Sequence, residues 1–268
     1  MRKARDWMFW AGVGYLTLLV LMAIFGPWAR HHYLEAVGKP FQPPSAEFWF
    51  GTDELGKDIF ARLSYGAFVS LGIGFTVQAI SLVVGTTVGV LGVFAPKWIA
   101  TPLMRLTDGM FAFPDILLAI LIIGVMGMGV TPVIAALSIT AWPTVARLVR
   151  TQVASLKDRE YVLAARASGG STVYVVWRHI LPQLTGILMA VAMIELAGTI
   201  LAESALSFLG IGVQAPTPSW GSMINVARQN MNSHPDQLLF PCLVLSLTIF
   251  ALNFVGDGLR ARLDPRSR

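Results

Sequence analysis

The sequence predicts an all-α, polytopic membrane protein with about six transmembrane helices and a short cytoplasmic helix between the fourth and fifth. Three observations lead there. Of 268 residues, 55% are hydrophobic and 13% charged, and the mean hydropathy is +0.65, whereas a soluble domain carries about 25% charged residues. Uncharged runs cover residues 7–29, 63–96, 116–146 and 237–256, and about 20 apolar residues cross a bilayer as a helix. Fifteen of the 20 Lys and Arg residues fall on one side of the chain so threaded: at Arg2, Lys3 and Arg5, at Lys97 and Arg105, between Arg147 and Arg178, and from Arg260 to Arg268. By the positive-inside rule that side, with both termini, is cytoplasmic.

The first helix is placed at 7–28. A basic start ahead of an apolar stretch also describes a secretory signal, but this stretch is long enough to span. GPWARHH after it offers no small-x-small cleavage site, so a retained helix is expected. Residues 29–65 hold three prolines and several aromatics, as an ordered loop at the outer interface would, with Trp28 and Trp49, like Trp220 further on, as interfacial anchors. His31 and His32 are adjacent, so their side chains point apart and do not suggest a shared metal.

Within this loop GTDELGKD (51–58) nearly matches G-x-x-x-x-G-K-[ST], the loop that cradles nucleotide phosphates. Asp58 stands where a hydroxyl would hold Mg²⁺, and Asp53 and Glu54 place two carboxylates where a triphosphate would lie. The segment also faces away from the cytoplasm, and a nucleotide site is rejected.

The second helix is placed at 66–94, where Gly72, Gly74, Gly85, Gly89 and Gly92 permit close packing. GMGVTP (127–132) breaks the next run and leaves its first half too short to cross, so the third helix is extended back to 102–125. It then carries Arg105, Asp108 and Asp115 in its early turns, with Asp115, after Pro114, expected to cap a restarted helix. The fourth helix is placed at 132–149. Asp158 is expected to cap a short surface helix from Arg159 that ends at Gly169-Gly170, with Tyr161, Ala164, Ala165 and Ser168 along one largely small-residued stripe.

The fifth helix is placed at 183–210, with Pro182 suited to its first turn. Glu195 lies near mid-membrane and Glu203 two turns outward. Charge is costly there, so these residues either line a polar path or are hydrogen-bonded between helices. APTPSWG then forms a proline-fixed external turn. The last helix, 238–258, holds the only cysteine, Cys242, which can form no intrachain disulfide.

Neither HExxH, GxSxG nor a His/Cys cluster at metal spacing occurs, so neither catalytic nor metal-ligating residues are assigned. The +5 net charge is accounted for by the basic cytoplasmic loops, and nucleic acid is not expected as a partner. A proton-coupled carrier using Glu195 and Glu203 would need paired ionisable residues in several helices and usually an inverted repeat, neither of which is found.

Residues 157–182 resemble the signature of ABC-importer permeases, in which E-A-A, a glycine after three intervening residues, and an L-P whose proline lies thirteen residues past that glycine mark the loop that docks on the ATPase subunit. The match is Leu163-Ala164-Ala165, Gly169 and Leu181-Pro182; Leu163 replaces the glutamate, and Glu160 lies one turn earlier on roughly the same side. FGTDELGKDIFARLSYG (50–66), LSFLGIGVQAPTPSWGSMI (206–224) and FALNFVGDGLRARLDPR (250–266) are similar to the dipeptide/oligopeptide/nickel branch, and to its C-type member of the permease pair.

The resemblance implies an N-terminal helix and external loop (1–65) followed by a five-helix transport core (66–268) with a coupling loop at 151–182. It implies ATPase coupling through Glu160, Tyr161, Leu163, Ala164, Ala165, Gly169, Leu181 and Pro182, with Glu195, Glu203 and Asp115 as candidates to line the path. The implied partners are a homologous second permease, two cytoplasmic ATPase subunits that bind ATP and Mg²⁺, an external substrate-binding protein and the lipid bilayer of a bacterial or archaeal inner membrane. This chain itself would hold no cofactor. Di- and oligopeptides are the implied cargo, with nickel or a nickel chelate as the alternative.

Overall fold

The computed structural model describes residues 2–29 and 31–263, with side chains from residue 6 onward. The side chains of Arg2, Lys3 and Arg5, and the whole of Arg30, Arg266 and Arg268, therefore lie outside the described residues, as does the end of the 250–266 stretch.

Ten α-helices follow one another among the described residues: α1 (Arg2–Ala29), α2 (Ile59–Phe94), α3 (Lys97–Met110), α4 (Asp115–Met126), α5 (Val130–Leu156), α6 (Glu160–Ala167), α7 (Thr172–Val175), α8 (Leu181–Phe208), α9 (Trp220–Gln229) and α10 (Leu239–Leu263). A π-helical turn (Val176–Ile180) joins α7 to α8, and a 3₁₀ turn (Pro235–Leu238) precedes α10. Five stretches are long and apolar enough to cross a membrane: Asp6–Ala29, Ile59–Phe94, Val130–Leu156, Thr172–Phe208 and Pro235–Leu263. The pair α3 and α4, bent by 95° between them, makes a sixth if taken as one span.

Four expectations are corrected. The third span is not a continuous helix over 102–125. Pro114 has no N–H and disfavours helical geometry at the residue before it, so α3 closes with i→i−3 bonds from Ala112 and Phe113, and α4 restarts on the Pro114 carbonyl. Asp115 is the first residue of α4 and makes no capping hydrogen bond; Pro114 holds the cap position. The second helix starts at Ile59, seven residues before Gly66, because Asp58 accepts from Phe60 N at 2.9 Å as its N-cap. The fifth span extends back to Thr172 without interruption. Pro182 cannot donate to an i−4 carbonyl, and the π turn, in which Leu181 N bonds Val176 O, accommodates the missing bond.

Lipid tails are as apolar as leucine, so helices within a bilayer associate through close packing rather than burial from water. α2 and α5 pack on this basis. A Cβ at Gly85 would lie 2.6 Å from the Val145 side chain, and one at Gly89 would lie 2.7 Å from both Ala146 O and Val149. Gly74 admits Ile200 and Leu196 of α8 in the same way, and Gly92 admits Met104 of α3, but Gly72 faces open space. Three apolar clusters result: one joins α1, α2, α8, α9 and α10, a second joins α2, α4, α5 and α8, and a third joins α5, α6, the π turn and α8.

Residues 31–58 form a folded cap without a strand, pinned by two isolated bridges. Thr52 Oγ1 donates to Lys39 O at 2.6 Å and accepts from Gln42 N at 2.8 Å. The cap is fastened to the far end of the chain by Phe50 stacked on Phe240, Phe41 stacked on His234, and Gln237 Nε2 donating to Thr52 O at 3.1 Å.

Candidate functional site

The near-phosphate loop is closed on its own carboxylate. Asp53 accepts from the backbone N–H groups of Leu55 and Lys57, each at 2.9 Å, and pairs with Arg62 at 3.3 Å. Donors that a phosphate would need are thus taken by a carboxylate of the loop itself. Gly51 and Gly56 have φ of 79° and 72° and serve the turns. His31, set aside as a metal ligand, lies 3.0 Å from the capping Asp58.

At the other end of the molecule, α6 is short and mostly exposed, and it is anchored by one side chain. Val162 is fully buried in the third cluster, among Val153, Val175 and Ile180. Ala165 leans on the same cluster and is half-buried, so it leaves the stripe expected for it. Tyr161, Leu163, Ala164 and Ser168 remain exposed, as does Glu160 in the first turn. Arg166 lies over the Phe94 ring of α2 at 5.1 Å.

Asp158 does not cap α6. It sits 3.9 Å from Lys157, and Arg159 occupies the cap position without a side-chain bond. The helix stops in a Schellman motif: Gly169 N bonds Arg166 O at 2.9 Å, Gly170 N bonds Ala165 O at 3.0 Å, and Gly169 takes φ of 86°. Leu181 and Pro182 lie at the junction of the π turn with α8, half-buried and exposed respectively.

The three intramembrane carboxylates separate into two groups. Glu195 on α8 is half-buried and Asp115 on α4 exposed, near enough for their charges to interact. Glu203 is fully buried. Its oxygens accept from Ser70 Oγ of α2 at 2.9 Å and Ser207 Oγ at 2.8 Å, with Ser204 Oγ at 3.4 Å. Ser70 in turn accepts from Trp220 N at 3.4 Å, and Ser207 from Val213 N at 3.0 Å. This carboxyl brackets α2, α8 and the turn leading into α9, and faces no open space. Ser207 could be anticipated one turn after Glu203; Ser70, in another helix, could not.

A further ion pair escaped the sequence reading: Arg147 of α5 bonds Asp108 at 3.2 Å and lies 3.7 Å from the Phe111 ring centre, holding the elbow between α3 and α4.

Residues 59–268 match the family described as binding-protein-dependent transport system inner membrane component. The chain belongs to this family. The permease is 40% identical to the dipeptide transport system permease DppC of Alkalihalophilus pseudofirmus, over 96% of this chain and 85% of that one. It is 38% identical to the glutathione transport system permease GsiD of Escherichia coli (99% and 88%) and to the oligopeptide transport system permease OppC of Bacillus subtilis (96% and 85%). Its fold matches that of the methionine ABC transporter MetNI in an inward-facing conformation, with a TM-score of 0.63 at 19% identity, over 75% of this chain and 96% of that one. The protein is therefore a multi-pass inner-membrane permease subunit of an ABC importer. Neither the nickel alternative nor a proton-coupled carrier gains support from these relatives.

Proposed function

We propose that this permease passes di- or oligopeptides along a path formed with a second, homologous permease, and that α6 docks in a cleft of a cytoplasmic ATPase subunit. The build of α6 supports the docking: Val162 fixes the helix from below, Gly169 ends it, and Tyr161, Leu163 and Ala164 stand exposed. The cargo class follows the relatives, whose names specify dipeptide, oligopeptide and glutathione, itself a tripeptide. On this reading two ATPase subunits hold ATP and Mg²⁺, an external binding protein delivers cargo on the side of the 31–58 cap, and both termini are cytoplasmic. The chain itself catalyses nothing. Closure of the ATPases around nucleotide pushes α6, and the unbroken helix from Thr172 to Phe208 carries the displacement to Glu195, which lines the path with Asp115 of α4.

Two substitutions test the docking in the assembled transporter. Gly169→Val forces a β-branched residue into a left-handed conformation, and Ala164→Trp adds volume to the exposed face without disturbing the Val162 anchor. Both variants should insert and express like wild type and lose most of the co-purifying ATPase, or retain ATPase that no longer responds to loaded binding protein. Wild-type assembly and dipeptide uptake by both would reduce the loop to a connector.

A further inference from the structure

Helix α3 has a pattern that neither the path nor the coupling loop uses. Wound at about 100° per residue, its side chains sort into three sectors. Met104 and Thr107 are buried against the rest of the chain, Met104 filling the space left by Gly92 of α2. Trp98, Pro102 and Leu106 form a second apolar sector that nothing among the described residues covers, with Trp98 76% and Leu106 57% exposed. Lys97, Thr101, Arg105 and Asp108 form the third, polar and exposed. A helix packed on a soluble protein needs one apolar face. A second apolar face, bordering directly on a basic one, suits the boundary between hydrocarbon and water.

The setting agrees. α3 follows immediately on the end of the 36-residue α2, and α4 departs from it at 95°. Where the 12-residue α4 enters the bilayer along its normal, reaching part of the way across, α3 lies along the surface. Asp108 is held by Arg147 at 3.2 Å, whereas Lys97 and Arg105 make no ion pair among the described residues.

We infer that α3 is an interfacial helix of the cytoplasmic leaflet, with Trp98, Pro102 and Leu106 against acyl chains and Lys97 and Arg105 binding the phosphates of anionic phospholipids. This rests on the orientation proposed above. Because Arg147 ties Asp108 and Phe111 to α5, the lipid contact also fixes the elbow of the third span.

The test uses the whole transporter complex, with Cys242→Ala removing the chain's only cysteine. Leu106→Cys carrying bimane is placed in nanodiscs containing brominated phosphatidylglycerol or brominated phosphatidylcholine. Both lipids should quench the probe, phosphatidylglycerol with roughly tenfold preference, and Lys97→Gln with Arg105→Gln should bring that preference to within about twofold while quenching persists. Absence of quenching would mean that a protein surface covers α3, and equal quenching by the two lipids would mean no headgroup recognition; either result overturns the inference. Thr101→Cys should react with an impermeant maleimide in inside-out vesicles only. Reaction from outside would overturn the topology on which the inference rests, whereas failed quenching with inside reaction overturns the lipid contact alone.

Discussion

Two glutamates mark the two ends of the molecule. Glu203, near the cap, is fully buried and receives hydrogen bonds from serines of two helices; Glu160, in the first turn of α6, is exposed and takes part in no ion pair among the described residues. Their surroundings differ in the same way. Around Glu203 the cap satisfies its own polar groups through Asp53, Asp58 and Thr52, and fastens itself to α10 by ring stacking. Around Glu160 one buried valine holds a helix whose neighbours Tyr161, Leu163, Val173 and Trp177 are 40%, 48%, 68% and 71% exposed. At the cap end these polar groups are satisfied within this chain, although Trp49 and Leu55 stand 50% and 56% exposed. The α6 end leaves apolar surface that a partner can bury.

The contrast would break first at Glu203. Glu203→Ala leaves the Ser70 and Ser207 hydroxyls without their acceptor and opens a cavity, so a loss of roughly 3 kcal/mol is expected. A lowered thermal midpoint in detergent measures it, and an unchanged midpoint would mean the cap end is no more self-contained than the other. Asp53→Ala should cost about 2 kcal/mol, since two backbone N–H groups and Arg62 lose one carboxylate. Faster tryptic cleavage within 31–58 reports that loss.

Val162→Ala sharpens the other side of the comparison. Removing two buried methyl groups should cost about 1–2 kcal/mol and stay local. Amide exchange across 160–169 should then accelerate by roughly tenfold while the global midpoint barely moves. A global shift of the same size as in Glu203→Ala would erase the distinction.

The smallest effect concerns pH. Burial pushes the Glu54 carboxyl above the ordinary glutamate range, opposed by a hydrogen bond from its own backbone, then raised further by Asp53 and lowered by Arg62 and Lys57. A raised carboxyl pKa contributes stability below the ordinary range that is lost as pH rises through the raised value, so the cap should be slightly firmer in mild acid. Because the group is only about half buried, Glu54→Gln should gain a few tenths of a kcal/mol at neutral pH and remove that dependence. Unfolding of the cap followed between mildly acidic and neutral pH checks it; a wild-type profile in the variant would assign the dependence elsewhere.

The long spans were legible because a bilayer asks only for length and freedom from charge, and the runs at 7–29 and 237–256 meet both demands in any packing. Gly169-Gly170 was legible because a Schellman motif is local chemistry. The restart after Pro114 was legible from the proline itself, whereas the 95° angle between α3 and α4 was not, because a proline fixes where a helix breaks and neighbouring elements set the angle. In sequence Asp58 reads as a position of the near-phosphate motif, and its capping of α2 is seen only in the structure.

By itself, then, the sequence determined the membrane class, the long apolar spans and the stop at Gly169-Gly170, because these depend on composition and on neighbours within a few residues. Tertiary structure alone decided the fates of Glu203 and Glu195, two turns apart on one helix. Whether an intramembrane carboxylate is closed off by hydroxyls or left half-open depends on which helices arrive beside it, and Ser70 comes from 133 residues away. Burial of Val162 was decided in the same way, by α5 and the π turn rather than by α6.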